Sequence, residues 1–330
     1  MNIAIRVNAS KQEGSGHFIR AFILAKSFKK KDVNIYFLSN NLHKNYTKLL
    51  SKNNLKYINL KNSKNEKKYE ENDIRLTIKA LKKINKPADL IILDSYMIGI
   101  KWEKKIIKFT KKLLVIDDLD RKHFCDIYVS PLKIPNNRNI KKKGCKCLFG
   151  IKYLITNCSK IKKKFNNKKE VLIYMGDADS KNLTLSILKI VSKKLFEKFN
   201  FNILIGNSNS KRLKIMKNFK NKKNITYYNF QPSLKEMLNK IDLAIVGGGS
   251  IIFNLIFAKI PTLVVCQNLS QYEILIKNKI CNLKNLLSYR NYSLSYLENF
   301  LKRKMLQSKI YSHSIKFDLL GPKRILKNIK

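Results

Sequence analysis

Polar residues that could carry acid–base chemistry stand where several apolar, strand-like runs of the sequence end. They form three groups: His17 with Arg20, Asp94 with Tyr96, and Asp117 with Asp118. Histidine accepts and returns protons near neutral pH, and a carboxylate beside it can orient its ring. Because parallel strands end on one edge of their sheet, we expect the three groups to share a ligand site. Taken singly, each residue could instead cap a helix or form a turn.

The first stretch of the chain places His17 at the start of a helix. Residues 3–7 alternate as a short strand does, and apolar positions within 18–25 recur with helical spacing. Gly14 and Gly16 lie between them, where glycine tolerates a positive φ and lets a ligand approach the backbone. Unpaired N–H groups at a helix start favour an anionic ligand. The alternative is an ordinary loop whose histidine caps the helix.

Strand and helix patterns alternate along the whole chain of 330 residues. Continuous apolar strands separated by helices indicate parallel sheets covered on both faces. The stretch 155–169 is rich in Lys, Asn and Ser, as a linker or a crossing helix would be. We therefore predict an α/β protein of two Rossmann-like, doubly wound domains facing a cleft, with domains at 1–155 and 168–330. We expect the segment after Asn291 to pack back across their junction.

The second half contains two glycine-bearing turns between a strand and a helix. One lies at Gly176, and the other at Gly248, Gly249 and Ser250. Backbone amides at such turns bind phosphate groups. The residues 177–179 also resemble the metal-binding Asp-x-Asp pattern, but a turn former is the preferred interpretation and no metal site is predicted.

The net charge of +47 raises the question of a polyanionic partner. The lysines are spread over the whole length, and no zinc-finger, helix-turn-helix or RNA-recognition pattern is present. We predict no specific nucleic-acid partner and only a weak attraction to anionic membrane surfaces. With 44% hydrophobic and 10% aromatic residues, the chain is expected to be a packed globular protein, and a monomer.

Neither a leader peptide nor a membrane span is predicted. Arg6 and Asn8 interrupt the first apolar run, and the longest run, 243–258, is broken by its glycines and by Asn254. The six cysteines include no Cys-x-x-Cys pair, although Cys145-x-Cys147 is compatible with zinc or a disulfide. Reduced thiols and a cytoplasmic location are the expectation.

The order of these motifs resembles that of a known family. The matching motifs are Gly-x-Gly-His-x-x-Arg at 14–20, Asp-x-Tyr at 94–96, Asp-Asp at 117–118, Cys-Asp-Ile-Tyr at 125–128, Gly-x-x-Tyr-Leu-Ile at 150–155, Met-Gly-x-x-Asp at 175–179, Gly-Gly-Ser at 248–250 and the terminal 318–325. The chain resembles the UDP-sugar hydrolases of pseudaminic acid biosynthesis (PseG) and the related spore-coat polysaccharide proteins (SpsG). Those families are similar to GT-B glycosyltransferases of the MurG group.

The resemblance implies hydrolysis of UDP-2,4-diacetamido-2,4,6-trideoxy-β-L-altropyranose without a metal or cofactor. It implies His17 as the general base that activates water in the N-terminal domain, with Asp94 and Asp118 as further catalytic candidates. It places UDP on the C-terminal domain. The residues implied to bind substrate are Gly14, Gly16, Arg20, Tyr96, Asp117, Gly176, Gly248, Gly249, Ser250, Asn254 and Gln271.

The chain departs from the family at several nucleotide-binding positions, among them 254 and 177. Asn254 stands where the family carries a glutamate near the ribose, so it can hydrogen-bond only without charge assistance. Asp177 follows Gly176 where the family has a second glycine, and a carboxylate there could repel a diphosphate. Two other functions fit the same sequence: a GT-B glycosyltransferase that activates an acceptor hydroxyl, and a non-catalytic protein that binds nucleotide sugars or polyanions.

Overall fold

The computed structural model describes residues 1–9, 15–28, 32–61, 68–84, 87–133, 135–162, 168–229, 234–288, 290, 293–307 and 315–329. Contacts divide the chain into a first unit, Met1–Ile155 with Asp318–Lys330, and a second unit, Thr156–Phe317. The end of the chain therefore departs from the predicted second domain of 168–330. It returns to the first unit at Asp318, later than the predicted position near Asn291.

Each unit is built on a parallel sheet. The strands are β1 (Asn2–Val7), β2 (Asn34–Ser39), β3 (Lys56–Asn59), β4 (Ala88–Asp94), β5 (Thr110–Ile116), β6 (Ile127–Ser130), β7 (Lys146–Phe149), β8 (Lys169–Tyr174), β9 (Phe199–Ile205), β10 (Ile225–Asn229), β11 (Leu243–Gly247), β12 (Thr262–Val265) and β13 (Leu286–Leu287). Among the described residues, the first sheet has the order β3-β2-β1-β4-β5-β6-β7 and the second β10-β9-β8-β11-β12-β13. Both orders reverse at the first strand of the unit, as in Rossmann-like folds, where ligands bind beyond the carboxyl ends of the strands.

Helices connect most of these strands. They are α1 (Gly16–Phe28), α2 (Lys44–Lys52), α3 (Tyr69–Lys82), α4 (Ile100–Ile106), α5 (Leu183–Val191), α6 (Arg212–Asn218), α7 (Lys235–Leu238), α8 (Ile251–Phe257), α9 (Leu269–Lys277), α10 (Leu294–Lys302) and α11 (Gly321–Lys327). Short 3₁₀ turns lie at Ile107–Phe109, Asn137–Asn139, Ile151–Tyr153, Lys194–Phe196 and Leu283–Asn285, and a π-helical turn at Arg303–Gln307.

Helix α1 packs one apolar face against the first sheet and presents His17 in its first turn. Phe18, Phe22 and Ala25 are buried on that face. The first backbone bond of the helix runs from the Ile19 N–H to the Ser15 carbonyl, 3.0 Å. Gly16 is its first residue and does not have a positive φ.

Helix α11 explains why the end of the chain belongs to the first unit. Arg324 makes a two-pronged ion pair with Asp318 at 2.6 Å and donates to the Lys152 carbonyl at 2.9 Å. Gly321 lies so close to the chain at Leu154 that a Cβ there would come within 2.0 Å of the Leu154 carbonyl oxygen. The terminal motif thus attaches α11 beside α1.

Two local predictions differ from the structure. The sequence pattern predicts one helix over 181–199, but α5 ends at Val191, because Phe199 and Phe201 are buried in the core as alternate residues of β9. Strand β7, which contains Cys147, was not expected from the sequence. It pairs in parallel with β6.

No helix within the described residues is long and apolar enough to cross a membrane. The six cysteines all lie within the described residues and form no disulfide there.

Candidate functional site

His17 and Asp94 form the centre of the site in the first unit. Asp94 is the last residue of β4, and its fully buried carboxylate lies 2.6 Å (Oδ1) from His17 Nδ1. The His17 side chain is 11% exposed. Two groups that are 77 residues apart in sequence therefore meet at the carboxyl edge of the sheet, as predicted.

Arg20 connects the His17–Asp94 pair to Asp118 through hydrogen bonds. From the next turn of α1 it donates through Nε to Asp94 Oδ2 (2.8 Å) and through Nη2 to Asp94 Oδ1 (2.6 Å). Its Nη1 donates to Asp118 Oδ2 (2.8 Å). The second Asp118 oxygen accepts the Leu132 N–H at 2.8 Å. The guanidinium of Arg20 thus binds the carboxylates of Asp94 and Asp118 and orients them.

The charge state of Asp94 fixes the tautomer of His17. Burial disfavours a charged Asp94, but the Arg20 guanidinium and His17 outweigh burial and hold the pKa of that carboxyl at about 2. An ionised carboxylate only accepts hydrogen bonds, so His17 Nδ1 must carry the shared proton. Nε2 of the neutral ring is then left with its lone pair. This is the arrangement a general base requires.

Tyr96 completes the surroundings of the imidazole. Its ring meets the His17 ring edge to face, with centroids 4.4 Å apart at 89°. Burial raises the pKa of the Tyr96 hydroxyl above its usual range, so the phenol stays neutral. Burial also raises the pKa of Asp118.

Asp117 has different side-chain partners from its neighbour Asp118. Its Oδ1 accepts the Leu119 N–H (2.5 Å), and its Oδ2 accepts from Arg121 Nε (2.8 Å). His123 Nε2 lies 3.4 Å from the same Oδ2. The Asp117 carboxylate therefore contacts the loop that follows β5, and the predicted role in substrate binding stays a prediction.

Sequence reasoning missed three residues around Asp117. They are Arg121, His123 and Glu103, and their side chains alternate in charge with Asp117; all but the half-buried Arg121 are buried. The only available sign was a basic residue following the Asp-Asp pair. Glu103 lies on α4, and no local pattern connects it with that loop.

In the second unit, the turn after β8 is shaped by a glycine and two aspartates. Gly176 has a φ of +92°, which a residue with a side chain rarely adopts. Asp179 accepts the N–H groups of Leu183 (2.8 Å) and Thr184 (3.0 Å), so it caps the start of α5. Asp177 is buried and accepts the Asn207 N–H at 3.0 Å. Both aspartates bind backbone, which favours the predicted turn former over a metal-binding pair.

The glycine turn between β11 and α8 is partly closed by Gln271. The Gln271 side-chain oxygen accepts the Gly248 N–H (3.3 Å) and the Gln267 N–H (2.8 Å). Its carbonyl is thus used within the protein, while its NH₂ group can still donate. Gly249 and Ser250 are exposed, and Asn254 is half-buried one turn further along α8.

The predicted residues thus form two groups, one in each unit. His17, Arg20, Asp94, Tyr96 and Asp118 lie together in the first; Gly248 and Gln271 meet in the second. Gly14 lies outside the described residues. Among the residues that are described, no cluster of three or more His, Cys, Asp or Glu side chains is suited to hold a metal ion.

Residues 150–313 match the profile of the glycosyltransferase family 28 C-terminal domain. The matched range covers most of the second unit. Its matched residues include the Gly176 turn, the Gly248 turn and Gln271.

Two sequence relatives extend the similarity into the first unit. An uncharacterized protein of Methanocaldococcus jannaschii, MJ1062, is 28% identical over 290 residues, which are 83% of this chain and 57% of the relative. The chain therefore spans little more than half of that protein. The UDP-2,4-diacetamido-2,4,6-trideoxy-β-L-altropyranose hydrolase of Campylobacter jejuni is 24% identical over 277 residues, 81% of this chain and 92% of the relative. The resemblance inferred from the motifs is confirmed.

Solved structures confirm the fold class. The UDP-GlcNAc 2-epimerase of M. jannaschii superposes with a TM-score of 0.65 at 13% identity, covering 100% of this chain and 99% of the other. MurG of Acinetobacter baumannii gives 0.57 at 11% identity and covers 99% of each chain. The α/β architecture of two Rossmann-like domains, as in GT-B proteins, is therefore correct.

Proposed function

We propose that this protein hydrolyses a UDP-linked diacetamido-trideoxy hexose to UDP and the free sugar. The observation that carries the proposal is the hydrogen bond between His17 Nδ1 and the ionised Asp94, which leaves Nε2 as a proton acceptor. The similarity to the Campylobacter jejuni hydrolase supports this choice of substrate.

The reaction proceeds by attack of water on the anomeric carbon. His17 Nε2 takes a proton from the water as its oxygen bonds to that carbon, and the bond from the carbon to the UDP oxygen breaks. UDP leaves with the electron pair, and the proton on Nε2 later passes to solvent. Asp94 stabilises the imidazolium that forms in between, and Arg20 and Asp118 keep Asp94 in place.

The second unit supplies the nucleotide site in this proposal. The exposed amides of Gly249 and Ser250 bind the diphosphate, and Asn254 and the free NH₂ group of Gln271 bind other polar groups of UDP. Because the leaving group is negatively charged, amides that face it stabilise the transition state as well as the bound substrate.

The direct test supplies purified protein with a panel of UDP-diacetamido-trideoxy hexoses and with UDP-GlcNAc, in ¹⁸O-labelled water and EDTA, without an acceptor. The proposal requires equal amounts of UDP and free sugar from one diacetamido substrate, with ¹⁸O in the sugar and none in UDP. Conversion to an isomeric UDP-sugar would show an epimerase instead. UDP release only after an acceptor is added would show a glycosyltransferase, the alternative that the family 28 domain favours.

A further inference from the structure

Arg121 donates hydrogen bonds to the backbone of the turn that follows β4. Its Nη1 donates to the Tyr96 carbonyl (2.9 Å) and its Nη2 to the Ser95 carbonyl (3.1 Å). These two residues come directly after Asp94, the partner of His17. The guanidinium also lies 5.9 Å from the centre of the Tyr96 ring, within the range of a cation–π contact.

Arg121 is itself held by a buried acid–base pair. The Asp117 carboxylate accepts hydrogen bonds from Nε and Nη2 of Arg121, and it lies beside His123. The other ring nitrogen of His123, Nδ1, is 2.7 Å from Glu103 Oε1. Glu103 also accepts the Phe124 N–H. Burial disfavours a charged His123, but Asp117 and Glu103 outweigh burial and raise the pKa of His123 to about 9. The chain Glu103, His123, Asp117, Arg121 therefore alternates in charge and balances to zero near neutral pH.

We propose that Arg121 is a positioning residue that fixes the Tyr96 ring against His17 and thereby sets the direction of the general base. This inference rests on the proposed hydrolysis for its kinetic test. Arg121 does not need to touch the substrate, because its donor groups are directed to Asp117 and to the two carbonyls. An edge-to-face ring contact restricts rotation of the imidazole. Loss of that restriction misplaces Nε2, and small misplacements of a catalytic group are costly in rate.

The planar fork of arginine is needed at this position. One side of the guanidinium meets a carboxylate and the other meets two carbonyls. Lysine would bring the same charge to one of these partners but could not hold all of them in fixed directions. Arg121→Lys therefore separates the charge of the residue from its geometry, and it keeps a cation beside Asp117 if Arg121→Met proves too unstable to study.

The kinetic test is a double-mutant cycle of Arg121→Met and Tyr96→Ala, measured as kcat and KM on protein shown by circular dichroism to be folded. We expect Arg121→Met to lower kcat about 10–100-fold with KM changed less than about 3-fold. In the Tyr96→Ala background the same change should cost less than about 3-fold, because the ring that Arg121 positions is gone. Arg121→Lys should fall between the wild type and Arg121→Met. If Arg121→Met lowered kcat by the same factor in the wild type and in Tyr96→Ala, the two losses would be additive and the proposal would be overturned.

A second readout needs no substrate, so it stands even if the proposed reaction is wrong. The sequence has four histidines, and His17→Asn assigns the imidazole signals of His17 by NMR. Nuclear Overhauser contacts between the His17 and Tyr96 rings should be present in the wild type and weak or absent in Arg121→Met and Arg121→Lys. Unchanged contacts in both variants would overturn the positioning role, whatever the enzyme catalyses.

The matched control is Arg324→Met. Arg324 also makes a two-pronged pair with an aspartate and also donates to a backbone carbonyl of the first unit, but it lies on α11 outside the site. It should leave kcat and the ring contacts as in the wild type. Equal effects from both substitutions would mean that Arg121 only contributes to stability, which would overturn the proposal.

Discussion

The two candidate sites differ in how their polar groups are satisfied. In the first unit, the carboxylates of Asp94, Asp117 and Asp118 are each paired with an arginine. In the second unit, the glycine turn after β11 is held by a neutral side chain, Gln271, and two of its residues are exposed. One site is organised by buried charges, the other by backbone and amide groups.

From this difference we expect the buried charges of the first unit to serve the chemical step and the glycine turn of the second unit to serve binding. Buried, mutually oriented charges do not have to rearrange during a reaction, so they lower the barrier of the chemical step. Exposed amides exchange water for a ligand and mainly determine affinity. We therefore expect substitutions in the first unit to change kcat and substitutions near the glycine turn to change the affinity for UDP.

The largest effect short of removing the base is expected from Asp94→Asn. The Asn amide can either accept from Nδ1–H or donate to an unprotonated Nδ1, so it does not select the tautomer in which Nε2 is free. It also carries no charge to stabilise an imidazolium, so kcat should fall ~10²–10⁴-fold with UDP affinity retained. Steady-state kinetics and calorimetry measure the two quantities. Asp318→Asn, which removes the carboxylate of the exposed Arg324 pair, should have no effect on either. A loss of less than about 3-fold in Asp94→Asn would show that Asp94 does not fix the tautomer.

A smaller effect, a gain in affinity rather than a loss of rate, is expected at Asn254, where the sequence lacks the carboxylate of the family that it resembles. Asn254→Glu should tighten UDP binding about tenfold if the ribose hydroxyls contact this position, since a charged acceptor makes the stronger hydrogen bond. Asn254→Gln, of the same length without the charge, is the control. Weaker or unchanged affinity by calorimetry would mean that Asn254 does not face the ribose.

The smallest predicted effect concerns stability rather than rate. The pKa of His123 is raised to about 9 in the folded protein, above its ordinary value of 6.5. The folded state therefore holds its proton more tightly, so this stabilisation is complete below about pH 6.5 and is lost as the pH rises to about 9. The unfolding free energy in urea should fall by up to about 3 kcal/mol over that interval, and His123→Gln should lack this decrease. An equal decrease in both proteins would contradict the charge chain.

The sequence was sufficient for the fold and for the centre of the first site. The His17 group, Asp94 and Asp118 were found because each follows a strand of a parallel sheet, and such strands end on a common edge. Whether neighbours such as Asp117 and Asp118 share partners is not set by that rule. Their side chains leave the backbone in different directions, and only the loop after β5 determines that Asp117 meets Arg121.

Other contacts depend on distant pairings that have no local pattern. Glu103 reaches His123 from α4, and Arg324 of the returning C-terminal segment reaches the Lys152 carbonyl. The Gln271 contact with Gly248 likewise depends on how α9 lies against the glycine turn. The sequence identified Gln271 as a ligand residue but could not show that its carbonyl oxygen is used by the protein.

The measurement that tests the separation of chemistry and binding most directly is His17→Asn, followed by turnover of the UDP-sugar and by calorimetry of UDP. If His17 is the general base, turnover should fall ~10²–10⁴-fold. UDP affinity should remain near that of the wild type, because the nucleotide is proposed to bind the other unit. Turnover close to the original rate would show that another group activates the water. A fall in UDP affinity as large as the fall in turnover would show that His17 is a binding residue and would contradict the account.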